Sequence, residues 1–206
     1  AVKADGGAFT DKFVPLAVHI YRIPLRSFGT AQETSAKDFK RLFSEDGISS
    51  GWRVAHWSDV GKAPPHDAAW KVDNGVLHGS EPRGTWLVSE KTYGDFVLEC
   101  DFKLPPRGNS GIGLRFPGSG DPAYAGLELQ VVDRRYYGDY EAGPDQLTGA
   151  LYNAVAPKRQ LHRPGEWNHY RIELRGPSLR VELNEELIHD LNLEIRPILA
   201  VVFPQE

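Results

Sequence analysis

The chain has 206 residues, 40% of them hydrophobic and 25% charged, with a net charge of −4. Those values fit one large globular domain and exclude a disordered chain, a collagen-like chain and a pair of full-sized domains. The 24 Lys and Arg are dispersed rather than striped, so the basic face of a nucleic-acid binder is missing. No apolar run reaches the roughly 20 residues that a membrane-spanning helix needs. Cys100 is the only cysteine, which excludes an internal disulfide and a cysteine-based zinc site. Met is absent even at position 1, from which we expect an upstream segment such as an export signal, and a periplasmic or extracellular location.

In chain order, a polar tail leads into an apolar stretch at 13–25 that Pro15 and Pro24 interrupt. Proline removes a backbone donor and disfavours helix in the residue before it, so this stretch is expected to be extended. It would serve as an edge strand or a strap over the body, or as a segment that docks on another protein or a membrane surface. Residues 1–38 are therefore expected to form an extension and 39–206 the main domain. From there 21 Gly and 15 Pro punctuate short runs rich in Val, Leu, Phe, Tyr and Trp, the pattern of many strands. The predicted strands are 51–56, 70–72, 76–79, 85–89, 95–104, 111–116, 126–133, 149–153, 167–175, 178–183 and 186–191. In the longest, Phe96, Leu98, Cys100, Phe102 and Leu104 alternate with polar neighbours, so one face is buried. Asp73-Asn74-Gly75 offers the residues that a type I′ hairpin turn demands. Helical periodicity is nearly absent. The fold expected is all-β, an antiparallel β-sandwich or jelly roll. A second apolar stretch, 195–203, stands near the far end as another candidate docking segment.

Candidate chemistry follows from strand parity. In 109–115 the residues Asn109, Gly111, Gly113 and Arg115 share a face, and two glycines beside an Arg leave an open groove. In the next strand Glu128, Gln130 and Val132 share a face, and after Gly149 and Ala150 comes Tyr152. If these strands are neighbours, Arg115, Glu128, Gln130 and Tyr152 form a polar patch on a concave sheet, with Asn109 beside it. A carboxylate and an amide suit paired hydroxyls, an Arg suits an oxygen bearing charge, and an aromatic ring suits the apolar face of a sugar. The plainer alternative is that Arg115 and Glu128 simply pair on a solvated sheet. Asp133 follows the strand either as a ligand group at its rim or as an ordinary turn carboxylate. The five Trp are core by default, with one or two on loops free to stack on sugar. The seven His lack zinc-site spacing, and 139–145 reads as an acidic surface loop rather than a calcium loop. No metal or cofactor is called.

The ordered blocks Lys40-Arg41-Leu42-Phe43, Gly51-Trp52, Trp70-Lys71-Val72-Asp73-Asn74-Gly75, Tyr93-Gly94-Asp95-Phe96, Gly108-Asn109-Ser110-Gly111-Ile112-Gly113, Gly126-Leu127-Glu128-Leu129-Gln130, Thr148-Gly149-Ala150-Leu151-Tyr152 and Pro164-Gly165-Glu166-Trp167-Asn168 carry a resemblance. Over about residues 39–192 the chain resembles the 3-keto-disaccharide hydrolase domain family, which has a jelly roll of the concanavalin A-like lectin/glucanase type. Two features depart from that pattern. Asn184-Glu185 stands where the family usually has Asn-Gly, and neither the Gln-x-His-Gly stretch nor the closing Phe-Arg-Asn-Ile strand is found before Glu206. The resemblance implies a saccharide or 3-keto-glycoside ligand, cleaved by deprotonation at carbon 2, elimination of the carbon 1 substituent and hydration. For that chemistry the residues expected here are Glu128 as base, Arg115 as enolate stabiliser and Tyr152 as a positioning group or acid, with Asn109, Gln130 and Asp133 as candidate substrate ligands. The missing closing strands favour an alternative: a non-catalytic binding module or accessory subunit, docked on a larger assembly through 13–25 and 195–203.

Overall fold

The computed structural model describes residues 39–43, 48, 50–67, 70–79 and 84–194, together with the backbone of strands at 3–5, 8–10 and 19–21. The strands are β1 (Lys3–Asp5), β2 (Ala8–Thr10), β3 (His19–Tyr21), β4 (Trp52–His56), β5 (Lys71–Asp73), β6 (Val76–His78) and β7 (Thr85–Ser89). They continue as β8 (Phe96–Lys103), β9 (Asn109–Leu114), β10 (Leu127–Val132), β11 (Asn168–Arg175), β12 (Ser178–Leu183) and β13 (Glu186–Asn192). Every pairing is antiparallel. The main sheet has the order β13-β12-β11-β8-β3-β6-β5.

Alternation along β8, β11 and β12 decides which face of that sheet is dry. Leu98, Cys100, Phe102, Tyr170, Ile172, Leu174, Leu179, Val181 and Leu183 point into one core, joined from the facing layer by Leu114, Leu127, Leu129 and Val131. That facing layer is the β9/β10 pair, whose register sets Glu128 opposite Gly113 and Gln130 opposite Gly111. The Tyr170 hydroxyl crosses the core to donate to the Gln130 carbonyl at 3.1 Å, which satisfies a buried polar tip. Burial also pushes the Cys100 thiol well up, so it is an inert part of the core. A second hairpin-like pair, β4/β7, packs around its own small core of Ala55, Val60 and Val88, against which Trp86 and Phe116 rest.

The turns follow local chemistry. Asn74 and Gly75 both have positive φ, 51° and 77°, as the type I′ turn between β5 and β6 requires. Asn184 and Glu185 do the same between β12 and β13, at 52° and 70°. Glutamate tolerates that region poorly, and Asn184 holds the turn by accepting from the His169 amide at 2.9 Å and donating to the Leu161 carbonyl at 2.9 Å.

Three differences from the expected elements matter for the site. The strand expected at 111–116 runs 109–114 and stops where Arg115 takes a φ of 48°. The strand expected at 149–153 is reduced to Leu151, which bridges Leu129 and Val155, because Gly149 and Asn153 turn the chain at φ 95° and 53°. The connection between β9 and β10 carries the one short α-helix among the described residues, α1 (Pro122–Ala125). In the amino-terminal stretch, β3 lies inside the main sheet, between β8 and β6. The rest of 13–25 and all of 195–203 lie outside the described residues.

Candidate active site

A cleft lies between the β4/β7 pair and the outer face of β9/β10. Strand parity builds its floor. With β10 turning Leu127, Leu129 and Val131 inward, Glu128 must point outward, and the neighbouring strand offers only glycine at the two nearest positions. Gly111 is a notch for the Glu128 side chain: a Cβ added there would come within 2.6 Å of Glu128 Cγ and Cδ. The carboxyl group thus lies flat on bare backbone.

Among the described residues that carboxyl group meets no hydrogen-bond donor and no cation. Burial penalises its charged form, and the negative charge of Asp121 adds to this, so its pKa is pushed up to about 8. At pH 7 roughly one such group in ten is ionised. Asp121 caps α1, with Oδ1 accepting from the Ala123 amide at 3.0 Å, and burial raises its pKa as well. Pro122 beside it packs over Gly113, the register partner of Glu128, and would lie 3.1 Å from an added Cβ. Asp121 and Glu128 both line the cleft.

Tyr152 closes one side. Its amide donates to the Glu128 carbonyl at 2.9 Å, which ties the turn after Leu151 to β10. Its ring meets that of Tyr124 edge-on, with centroids 6.3 Å apart. Burial, then Tyr124 and Glu128, push its pKa up to about 12, so the phenol stays protonated and can donate. Asn109 begins β9 on the same cleft wall.

The remaining expected site residues are elsewhere or turned away. Arg115 lines the cleft at its rim, but its guanidinium donates to the Gly176 carbonyl, because the left-handed backbone at this residue breaks the parity that would place it beside Glu128. No Arg115–Glu128 ion pair forms. Gln130 is 3% exposed and lies outside the cleft lining, and its Oε1 accepts from the Val131 amide at 2.9 Å. Asp133 is 1% exposed, outside the cleft lining, and serves as a turn carboxylate. It caps the 3-10 turn Arg134–Tyr137 and accepts from Arg135 Nε at 2.8 Å and Nη2 at 2.7 Å, contacts that hold its pKa below the usual carboxylate range. Gln130 keeps the parity of Glu128, but the segment 134–148 covers that end of β10.

Asp121 and Tyr124 escaped the sequence reading. A signal was present: Gly120-Asp121-Pro122 is a helix start, with a capping Asp followed by Pro at the first helical position. No period announces a four-residue helix.

The all-β sandwich carries an acidic, aromatic-lined cleft on one sheet, and together with the family match that follows this makes it a carbohydrate-active domain. The model of the 3-keto-alpha-glucoside-1,2-lyase-like domain matches residues 38–197, and the chain belongs to this family. No curated protein matches the chain at a significant level. Two crystal structures from Parabacteroides distasonis ATCC 8503, each named as a candidate glycosyl hydrolase, are similar to it. One has a TM-score of 0.57 and 24% identity, over 74% of this chain and 72% of that one, a likeness that shows the fold. The other has a TM-score of 0.50 and 27% identity over 60% of this chain, which spans 63% of its length.

Proposed function

We propose that the domain binds a 3-keto-α-glucoside in this cleft and cleaves its glycosidic bond by elimination, with Glu128 moving the proton. The observation that supports this most directly is a carboxyl group held on bare backbone, without a cation, in a cleft within the family's matched span. A ketone at carbon 3 acidifies the proton on carbon 2. The ionised Glu128 takes that proton, and the bonding pair moves into the carbon 2–carbon 3 bond as the carbonyl oxygen becomes an enolate. When the carbonyl re-forms, the carbon 1–oxygen bond breaks and a carbon 1–carbon 2 double bond remains. The departing oxygen takes a proton from Tyr152 or from the newly protonated Glu128. Water then adds, with hydroxyl to carbon 1 and hydrogen to carbon 2, so the net change is hydrolysis.

Each residue has a task set by its surroundings. A base with a pKa near the working pH balances availability against strength, which suits Glu128. Tyr152, held neutral, supplies a donor. Arg115 serves the enolate oxygen by exchanging the Gly176 carbonyl for it. The test is turnover of methyl 3-keto-α-glucoside. The parent protein should speed up as pH rises through about 8, because the base must lose its proton. Glu128→Gln should lose about 10²–10⁴-fold in kcat/KM. Full turnover by Glu128→Gln would remove the assignment.

A further inference from the structure

The edge strand of the main sheet, β13, breaks its own alternation. His189 pairs with Val181 and Leu187 with Glu182, so Ile188 has no register partner and the strand holds one extra residue. Such a bulge re-aims side chains. His189 takes the side of its partner Val181, while Ile188 shares a side with Glu186 and so with Leu183; both sides are the core, and two consecutive residues turn inward.

Both close on one residue of the segment that leads to Tyr152. His189 Nε2 lies 2.7 Å from the Gly149 carbonyl. A carbonyl only accepts, so Nε2 carries the ring's proton and donates it. Burial lowers the pKa of His189, which keeps the ring neutral. Ile188 fills the space where a side chain at position 149 would stand: an added Cβ would come within 3.2 Å of its Cδ1 and 3.4 Å of Pro157 Cβ.

From Gly149 the grip runs forward to the cleft. The Gly149 amide donates to the Gln130 carbonyl at 3.0 Å, the Gln130 amide to the Ala150 carbonyl at 2.9 Å, and the Tyr152 amide to the Glu128 carbonyl at 2.9 Å. The far end of the segment returns to β13, where the Lys158 amide donates to the Ile188 carbonyl at 3.1 Å and Arg159 pairs with Glu186. The turn that bears Tyr152 is thus held by β10 beside it and by the bulge of β13 behind it. A hydroxyl that serves a reacting atom tolerates little displacement, since an error of about 1 Å costs on the order of 100-fold in rate.

We infer that His189 is a positioning residue for proton transfer to the departing oxygen: by holding the Gly149 carbonyl it fixes the turn that presents Tyr152 to the cleft. This rests on the cleavage reading above, with Tyr152 as the donor. His189 lies outside the cleft lining and touches no reacting atom.

The test compares methyl 3-keto-α-glucoside, whose departing oxygen must gain a proton, with 4-nitrophenyl 3-keto-α-glucoside, whose phenolate leaves without one. His189→Leu removes the donor at similar volume. It should lower kcat on the methyl glycoside about tenfold with KM unchanged, and keep kcat on the nitrophenyl glycoside within about twofold. His189→Gln returns an N–H to the Gly149 carbonyl and should recover most of the loss. Equal losses on both substrates, no loss on the methyl glycoside, or no recovery in His189→Gln overturn the assignment. If Tyr152→Phe spares the methyl glycoside, or the parent turns over neither compound, the cleavage reading fails separately, and titration of a ¹³C-labelled Tyr152 decides the positioning. Burial is the main cause that pushes this hydroxyl up to about 12, so a ring released by His189→Leu should titrate lower; an unchanged titration overturns the role of His189.

Discussion

Glu99 and Glu128 are both mid-strand glutamates on polar strand faces, yet the two sheets use them in opposite ways. On the solvent face of the main sheet Glu99 is bonded to Arg171 of the adjacent strand, and Asp101 meets His169 Nδ1 at 2.7 Å in the next row. Each carboxylate there faces a basic side chain across one strand pair, and water screens both. Glu128 faces glycine across its pair, and its nearest charged neighbour, Asp121, has the same sign. One arrangement gives a carboxylate a basic partner; the other, by burial and a like charge, keeps a proton within reach of neutral pH. The partner strand and the solvent, rather than the residue type, make the difference.

The contrast predicts effects of very different size. The largest should come from the notch. Gly111→Ala places a Cβ against the Glu128 carboxyl, and a flexible side chain can give way, so the fold should survive while the acid moves. We expect kcat to fall about 100-fold, as for a reacting group displaced by about 1 Å, with an unchanged circular dichroism spectrum. Retained activity would mean that the position of Glu128 is unimportant.

A smaller, directional effect should follow from Asp121→Asn. Asn caps helices as well as Asp, so α1 is kept while a negative charge leaves the cleft. That charge is one of the two causes raising Glu128, so its removal must lower the Glu128 pKa. The rising limb of the pH–rate profile should move to lower pH, and a ¹³C-labelled Glu128 carboxyl should titrate earlier. An unshifted titration would show that the two groups are not coupled. The smallest effect belongs to the other sheet. Arg171→Ala should cost no more than about 1 kcal/mol in urea unfolding and leave turnover unchanged. A large loss of turnover there would dissolve the distinction between the two faces.

Most strand segments from 51 onward, the dry face of the main sheet and the outward direction of Glu128 were legible in the sequence, because a two-residue period records which side is buried. The hairpin at Asn74-Gly75 was legible for the same local reason: few residues tolerate positive φ. Gly111 and Gly113 announced an open groove, and the groove exists. What parity could not carry was the end of a strand. Arg115 leaves the alternation by a single backbone rotation, and its guanidinium turns to Gly176, sixty-one residues along the chain.

Tertiary structure alone decided what each outward side chain meets. It covered Gln130 and Asp133 and left Glu128 in the cleft, although the first two continue the same strand and its end. It brought Asp121 beside Glu128 through a four-residue helix too short to leave a period, and stitched the Trp57 loop to Gly120 through contacts about sixty residues apart. Backbone periodicity is a local quantity that neighbouring residues write into a sequence. Desolvation and charge coupling depend on distances in space between segments far apart in the chain, and only the folded packing sets those.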